Sequence, residues 1–193
     1  MAAPVVDDPA ATGAQTPEEL GRQLCEVAFN GQLTAERDTL ALLERKADIN
    51  YVDGDGNTAL LLASMTASRK VAIALIQHKA DIHIHGEMGR VALHWACWRQ
   101  CFDVVQELVS AGADLDARDQ HDMTPLMWAV AESDDYSDEI VEYLIQKRAQ
   151  LDIVDSQRET ALVQAAGTAR SNAVTLLITH GADKDIRDVR IGE

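Results

Sequence analysis

The sequence predicts an all-α solenoid of stacked helix pairs, and three observations carry that prediction. A six-residue phrase recurs as T-A-L-L-L-A from Thr58, V-A-L-H-W-A from Val91, T-P-L-M-W-A from Thr124 and T-A-L-V-Q-A from Thr160. A second phrase recurs as K-A-D-I around Ala47 and Ala80, G-A-D-L around Ala113, R-A-Q-L around Ala149 and G-A-D-K around Ala182. The steps between those alanines are 33, 33, 36 and 33 residues. Self-similarity at such a period marks units that cannot bury an apolar face alone and must stack on their neighbours.

Aligned on the two phrases, the chain divides into five repeats at about 18–52, 53–85, 86–118, 119–154 and 155–187. They form one domain, 18–193, behind a flexible acidic tail, 1–17, whose Ala, Pro, Asp, Gly and Thr cannot build a core. The first repeat has no opening finger and reads as an N-terminal cap. Its Cys25, Val27, Ala28 and Phe29 are placed to cover the next repeat. In the later repeats the first phrase opens a short helix. Thr58, Thr124 and Thr160 stand where a hydroxyl can accept from a free helix amide. Pro125 takes the first helical position, where a missing N–H is harmless. Val91 lacks the hydroxyl, so the third repeat is expected to start less firmly.

A second helix follows in each repeat, with apolar residues on more than one face: Val71 to Ile76, Val104 to Val109, Ile140 to Ile145 and Val174 to Ile178. Gly112 and Gly181 end two of them with a left-handed cap. Lys46, Lys79 and Arg148 hold the equivalent position elsewhere, at about 1 kcal/mol of strain each. Between repeats lie D-G-D-G (53–56), G-E-M-G (86–89), D-Q-H-D (119–122) and D-S-Q-R (155–158). These read as β-hairpin-like fingers, with Asp122 suited to a positive φ and Arg158 poorly suited.

A helix pair plus finger at this period resembles the ankyrin repeat over about 18–187. Of the family's T-P-L-H tetrapeptide, His94 is the sole histidine in its place, with Leu61, Met127 and Val163 in the other repeats. The chain stops at D-V-R-I-G-E, where a sixth finger would begin. Either the polar last repeat is a cap or the chain is part of a longer protein. The resemblance implies binding on a concave face of finger tips and first helices. Carried over by position, that face comprises Asp55, Asn57, Met88, Arg90, His121, Met123, Gln157 and Glu159 on the fingers. On the first helices it comprises Met65, Thr66, Trp98, Arg99, Ala131, Glu132, Gly167 and Thr168. Met88, Arg90, Trp98, Arg99, His121, Met123 and Glu132, in repeats 2–4, are the expected partner-binding set. Trp98 reads as an exposed anchor or as packing over the repeat 3–4 junction. Trp95 and Trp128 read as stacking residues between neighbouring repeats. Arg90 and Arg99 suit an acidic group on the partner. The stretch from Leu42 to Asn50 also resembles the target of an asparaginyl hydroxylase, although a simple turn role for Asn50 is preferred.

Composition narrows the function classes. Of 193 residues, 47% are hydrophobic and 4% aromatic, and the formal net charge is -15. That charge argues against nucleic acid and anionic membranes as partners. Nearly half of it lies in the fourth repeat, at −7 over residues 119–154. That repeat is also the longest, through E-S-D-D-Y-S-D-E (132–139). Asp134, Asp135, Asp138 and Glu139 there form an acidic loop suited to a basic segment, or a solvated loop that starts the next helix.

Cys25, Cys97 and Cys101 are an odd, sparse set that fits reduced thiols in the cytoplasm, or in the nucleus. The N-terminus lacks the build of a signal peptide, and no apolar run has the ~18 residues of a membrane span. His83, His85 and His121, or His94 with Cys97 and Cys101, lack the paired spacing of a zinc site. No phosphate loop, nucleophile elbow or zinc-protease pattern occurs. Enzyme activity, cofactor and metal are therefore not expected, and a monomer is. The expected function is a protein-binding adaptor using repeats 2–4. The alternatives are an acidic chaperone or inhibitor of a basic partner through the fourth-repeat loop, and a targeting domain of a larger protein.

Overall fold

The computed structural model describes residues 15–131 and 138–186. Among these residues there are ten α-helices and no strand: α1 Pro17–Asn30, α2 Ala35–Glu44, α3 Ala59–Met65, α4 Arg69–Gln77, α5 Ala92–Trp98, α6 Phe102–Ser110, α7 Pro125–Ala131, α8 Glu139–Gln146, α9 Ala161–Gly167 and α10 Ser171–Thr179. They pair in sequence and stack in two rows. The first helices α1, α3, α5, α7 and α9 contact one another in order, and so do the second helices α2, α4, α6, α8 and α10. The molecule is an all-α repeat solenoid.

Local chemistry sets where each helix starts. The hydroxyls of Thr58, Thr124 and Thr160 accept from the N–H groups of Leu61, Met127 and Val163. Val91 offers no hydroxyl, yet α5 is secured by another device, because the Val91 N–H donates to His94 Nδ1 at 3.1 Å. Thr16 and Glu19 form a reciprocal capping box at the start of α1, and Gln15 accepts from Arg45. Residues 15–17, which read as tail in the sequence, thus belong to the start of α1; residues 1–14 of that tail lie outside the described residues.

Alanine lets the rows close up. Ala63, Ala96, Ala129 and Ala165, which share one register of the repeated phrase, are all 0% exposed. Leu60, Leu75, Leu93, Leu108, Leu126, Leu144 and Leu177 fill the space between the rows. In the first helix pair, Leu24, Cys25 and Ala28 are buried as α1 lies on α3, but Phe29 is 54% exposed. Helical periodicity turns Phe29 away from the face that carries Ala28.

Lys46, Lys79 and Arg148 adopt φ of 64°, 67° and 71°, in register with Gly112 and Gly181 at 94°. Left-handed residues also occur inside the helix pairs, at Ala67, Gln100 and Ala169, a feature the phrases do not announce.

The fingers are turns rather than hairpins. Each is closed across its ends by a backbone bond, Asp53 N–H to Asn57, Gly86 N–H to Arg90, Asp119 N–H to Met123 and Asp155 N–H to Glu159, around an inner turn bond from Gly56, Gly89, Asp122 or Arg158 N–H back to the first residue. One rung is too little to form a strand.

Candidate functional site

Buried aspartates shape the fingers. Asp119 Oδ1 accepts from the N–H groups of His121 (2.8 Å) and Met123 (3.0 Å), and its Oδ2 accepts from Trp128 Nε1 (3.1 Å). Asp155 holds the N–H groups of Gln157 and Glu159 and the Gln164 side chain in the same way. The third repeat has Gly86 in this register. A Cβ there would lie 2.5 Å from Asn57 Oδ1 and 2.7 Å from Leu61 Cδ1, so a larger residue would have to displace the ends of those two side chains. Met88 beside it takes a left-handed φ of 59°, and its carbonyl accepts from Gln120 N–H of the next finger.

Three tryptophans meet where the third and fourth repeats join. Ring centroids lie 5.6 Å apart for Trp95 and Trp98, 6.2 Å for Trp95 and Trp128, and 6.1 Å for Trp98 and Trp128. Both contacts of Trp98 are edge-on, the arrangement that ring quadrupoles favour. The Arg90 guanidinium lies 4.9 Å from the Trp95 ring centroid and 4.5 Å from that of Trp128. Its Nε stands 3.7 Å from Asp119 Oδ2, an ion pair without a direct hydrogen bond. Asp119 is fully buried at its side chain and Arg90 is 18% exposed. In such a desolvated setting a cation–π contact is worth about 2 kcal/mol. Trp128, Arg90 and Asp119 therefore hold one another in place across the junction. Arg99 lies 5.3 Å over the Trp98 ring on the outside of the cluster.

The structure places the expected binding residues unequally. Met88, Met123 and Trp98 are half-buried on the cluster's margin, and Arg99 and His121 are exposed. Trp98 is packed over the junction while part of its surface stays open. Arg90 differs from the sequence reading: it is not a free cation awaiting an acidic partner, because Asp119 of its own chain already faces it. Asp138 differs as well. It pairs with Arg170, at side-chain exposures of 12% and 10%, and so is no open member of an acidic platform. Arg170 also donates to the Ala129 carbonyl at 2.7 Å, tying α10 to the end of α7. Glu139 is exposed in the first turn of α8. Glu132, Asp134 and Asp135 lie outside the described residues.

The remaining candidates have structural placements. His94 is 0% exposed. Its Nδ1 accepts from Val91, so the proton sits on Nε2, which donates to the carbonyls of Ala117 and Met123, each at 3.1 Å. Burial pushes its pKa below the ordinary histidine value. The three cysteines are free and buried. Burial pushes the Cys25 thiol up to about 12 and raises those of Cys97 and Cys101. None has the low pKa of a reactive thiol. Among the described residues no group of three His, Cys, Asp or Glu is placed to hold a metal ion. No described helix is long and apolar enough to cross a membrane. Asn50 Oδ1 accepts from Asp81 N–H at 2.8 Å, linking the first two repeats.

Sequence reasoning missed Arg170 and the Arg90–Asp119 pair. A signal existed for the first: Arg170 and Asp138 are N-cap residues of α10 and α8, opposite charges in one register of adjacent repeats.

The family model for ankyrin repeats (3 copies) matches residues 24–119 and 114–188. No curated protein gives a significant match to the chain.

Proposed function

The chain belongs to the ankyrin-repeat family, and on that premise we propose that it is a non-enzymatic adaptor that binds a partner protein on the concave face of repeats 2–4. Ankyrin repeats are generally protein–protein interaction modules. The observation that carries the finer reading is the preassembled cluster of Trp95, Trp98 and Trp128 around Arg90. Tryptophan and arginine dominate binding hot spots. Rings already fixed by their neighbours lose little entropy when a partner covers them. Trp98 is the anchor, Met88 and Met123 adapt to the partner's shape, and Arg99 and His121 set its orientation. The working compartment is the cytoplasm or nucleus, which suits three free thiols. The protein acts as a monomer.

The acidic-chaperone reading is weaker, since Asp138 is committed to Arg170. Three baits separate the two in a lysate pull-down with quantitative mass spectrometry: the wild type, Trp98→Ala with Met123→Ala, and Asp134→Asn with Asp135→Asn. Loss of the partner from the first variant alone supports the adaptor. Loss of a basic partner from the second alone, with binding that weakens steeply as salt rises, overturns it in favour of charge-led capture.

A further inference from the structure

An apolar stripe runs along the row of first helices and ends at the tryptophan cluster. Met65 and Trp98 are the last residues of α3 and α5, and both are half-buried. Phe29 holds the same place on α1. The Thr66 hydroxyl reaches back to the Ala28 carbonyl at 3.3 Å, as the Thr168 hydroxyl reaches back to the Val130 carbonyl at 3.5 Å. Ala28 therefore matches Val130, and Phe29, 54% exposed, matches the residue after it. In the fourth and fifth repeats this register holds Ala131 and Gly167. Large apolar side chains thus mark it in repeats 1–3 only.

Hydrogen bonding at the cluster end of the stripe is one-sided. Both oxygens of Asp119 accept, and the carbonyls of Met88, Arg90 and Met123 accept from the N–H groups of Gln120, Gly86 and Asp119. The donors are free. Among the described residues the indole N–H groups of Trp95 and Trp98 and the terminal nitrogens of Arg90 have no acceptor, and none of them is sealed from solvent. Asp119 already balances the Arg90 charge. A partner carboxylate would meet Asp119 and the net charge of -15, and a basic side chain would meet Arg90 and Arg99. What complements free donors here is the partial negative charge of neutral carbonyl oxygens.

Backbone geometry selects among neutral segments. A helix spends its carbonyls on itself. A β-strand turns alternate side chains away and carries an N–H for every carbonyl. A polyproline II helix has three residues per turn, rises about 9 Å per turn and makes no internal hydrogen bonds. That rise matches the spacing of packed helices, about 8–10 Å, so every third residue meets a successive first helix. Proline supplies the carbonyl without an N–H.

We propose that the stripe of Phe29, Met65 and Trp98 binds a proline-rich, polyproline II segment of a partner protein, whose carbonyls accept from Trp95, Trp98 and Arg90. The proposal rests on the adaptor reading, names the class of its partner and extends the surface to the first repeat.

The chain's three tryptophans all lie in the cluster, so the indole N–H signals of the 15N-labelled full chain report on it alone. The test follows them in an NMR titration with blocked nonaproline and with a blocked Ala-Ser peptide of equal length. Nonaproline at millimolar concentration is expected to shift the Trp95 and Trp98 signals saturably, and more than that of Trp128, whose N–H already serves Asp119. The Ala-Ser peptide should bind about tenfold more weakly. Phe29→Ala changes an exposed side chain, and it should weaken nonaproline binding about fivefold. No saturable shift, an equal response to the Ala-Ser peptide, or unchanged affinity in Phe29→Ala would each overturn the proposal. The adaptor reading is lost separately, when partner capture survives Trp98→Ala with Met123→Ala.

Discussion

The junction between repeats 3 and 4 and the junction between repeats 4 and 5 share one backbone plan and differ in the side chains that reinforce it. The first is aromatic: Trp95, Trp98 and Trp128 enclose Arg90, and Phe102 meets Tyr143 edge-on at 5.4 Å between α6 and α8. The second, among the described residues, has no aromatic pair and is reinforced by a charged one: Arg170 ties Asp138 and the Ala129 carbonyl, while backbone-directed bonds such as Asp152 to Asp183 have their counterpart at the first junction in Asp116 to Gln150. A nearly buried ion pair has little left to offer another protein. A junction of half-covered aromatic rings still has apolar area to bury. That contrast locates the proposed interface better than the acidity of the fourth repeat does.

The largest expected effect would break the aromatic junction. Trp95 is only 8% exposed, and Trp95→Ala should destabilise the protein by about 3–5 kcal/mol in urea unfolding. The second junction should yield less. Arg170→Ala leaves Asp138 nearly buried without its cation and should cost about 2 kcal/mol. A double-mutant cycle with Asp138→Asn should show most of that loss to be shared.

A third experiment sharpens the comparison through pH, since His94 staples the aromatic junction. Its folded pKa lies below the ordinary value of 6.5. Above that value both folded and unfolded states are neutral, and its contribution is fully present. As pH falls below it, the unfolded chain takes up the proton first, and stability declines until the folded pKa is passed. Melting curves of wild type and His94→Gln between about pH 7.5 and about pH 5 should converge at the acid end. A constant gap would contradict the buried neutral ring. The smallest effect concerns backbone strain outside both junctions: Lys79→Gly and Arg148→Gly should each raise stability by about 0.5–1 kcal/mol, measured as a shift in Tm.

The repeat phrases made the helices legible because each encodes a local event. A threonine caps, an alanine permits close approach, and a glycine register marks a left-handed turn; even the strained lysines and arginine at that register could be named beforehand. The site was legible only in part. Trp98 stands where a first helix faces outward, but Asp119, the partner of Arg90, lies about one repeat away in the chain and in a different register, and tertiary pairing of that kind leaves no local pattern. The exposure of Phe29 depends on the phase of α1, a helix that carries no repeat phrase to mark its register.

The claim that the aromatic junction is the binding centre is tested most directly by calorimetric titration of the captured partner against wild type, Trp98→Ala, and the loop variant with Asp134→Asn and Asp135→Asn. The account predicts that Trp98→Ala weakens binding about 30-fold, a hot-spot loss of about 2 kcal/mol, while the loop variant stays within about twofold of wild type. Unchanged affinity in Trp98→Ala together with a large loss in the loop variant would contradict it.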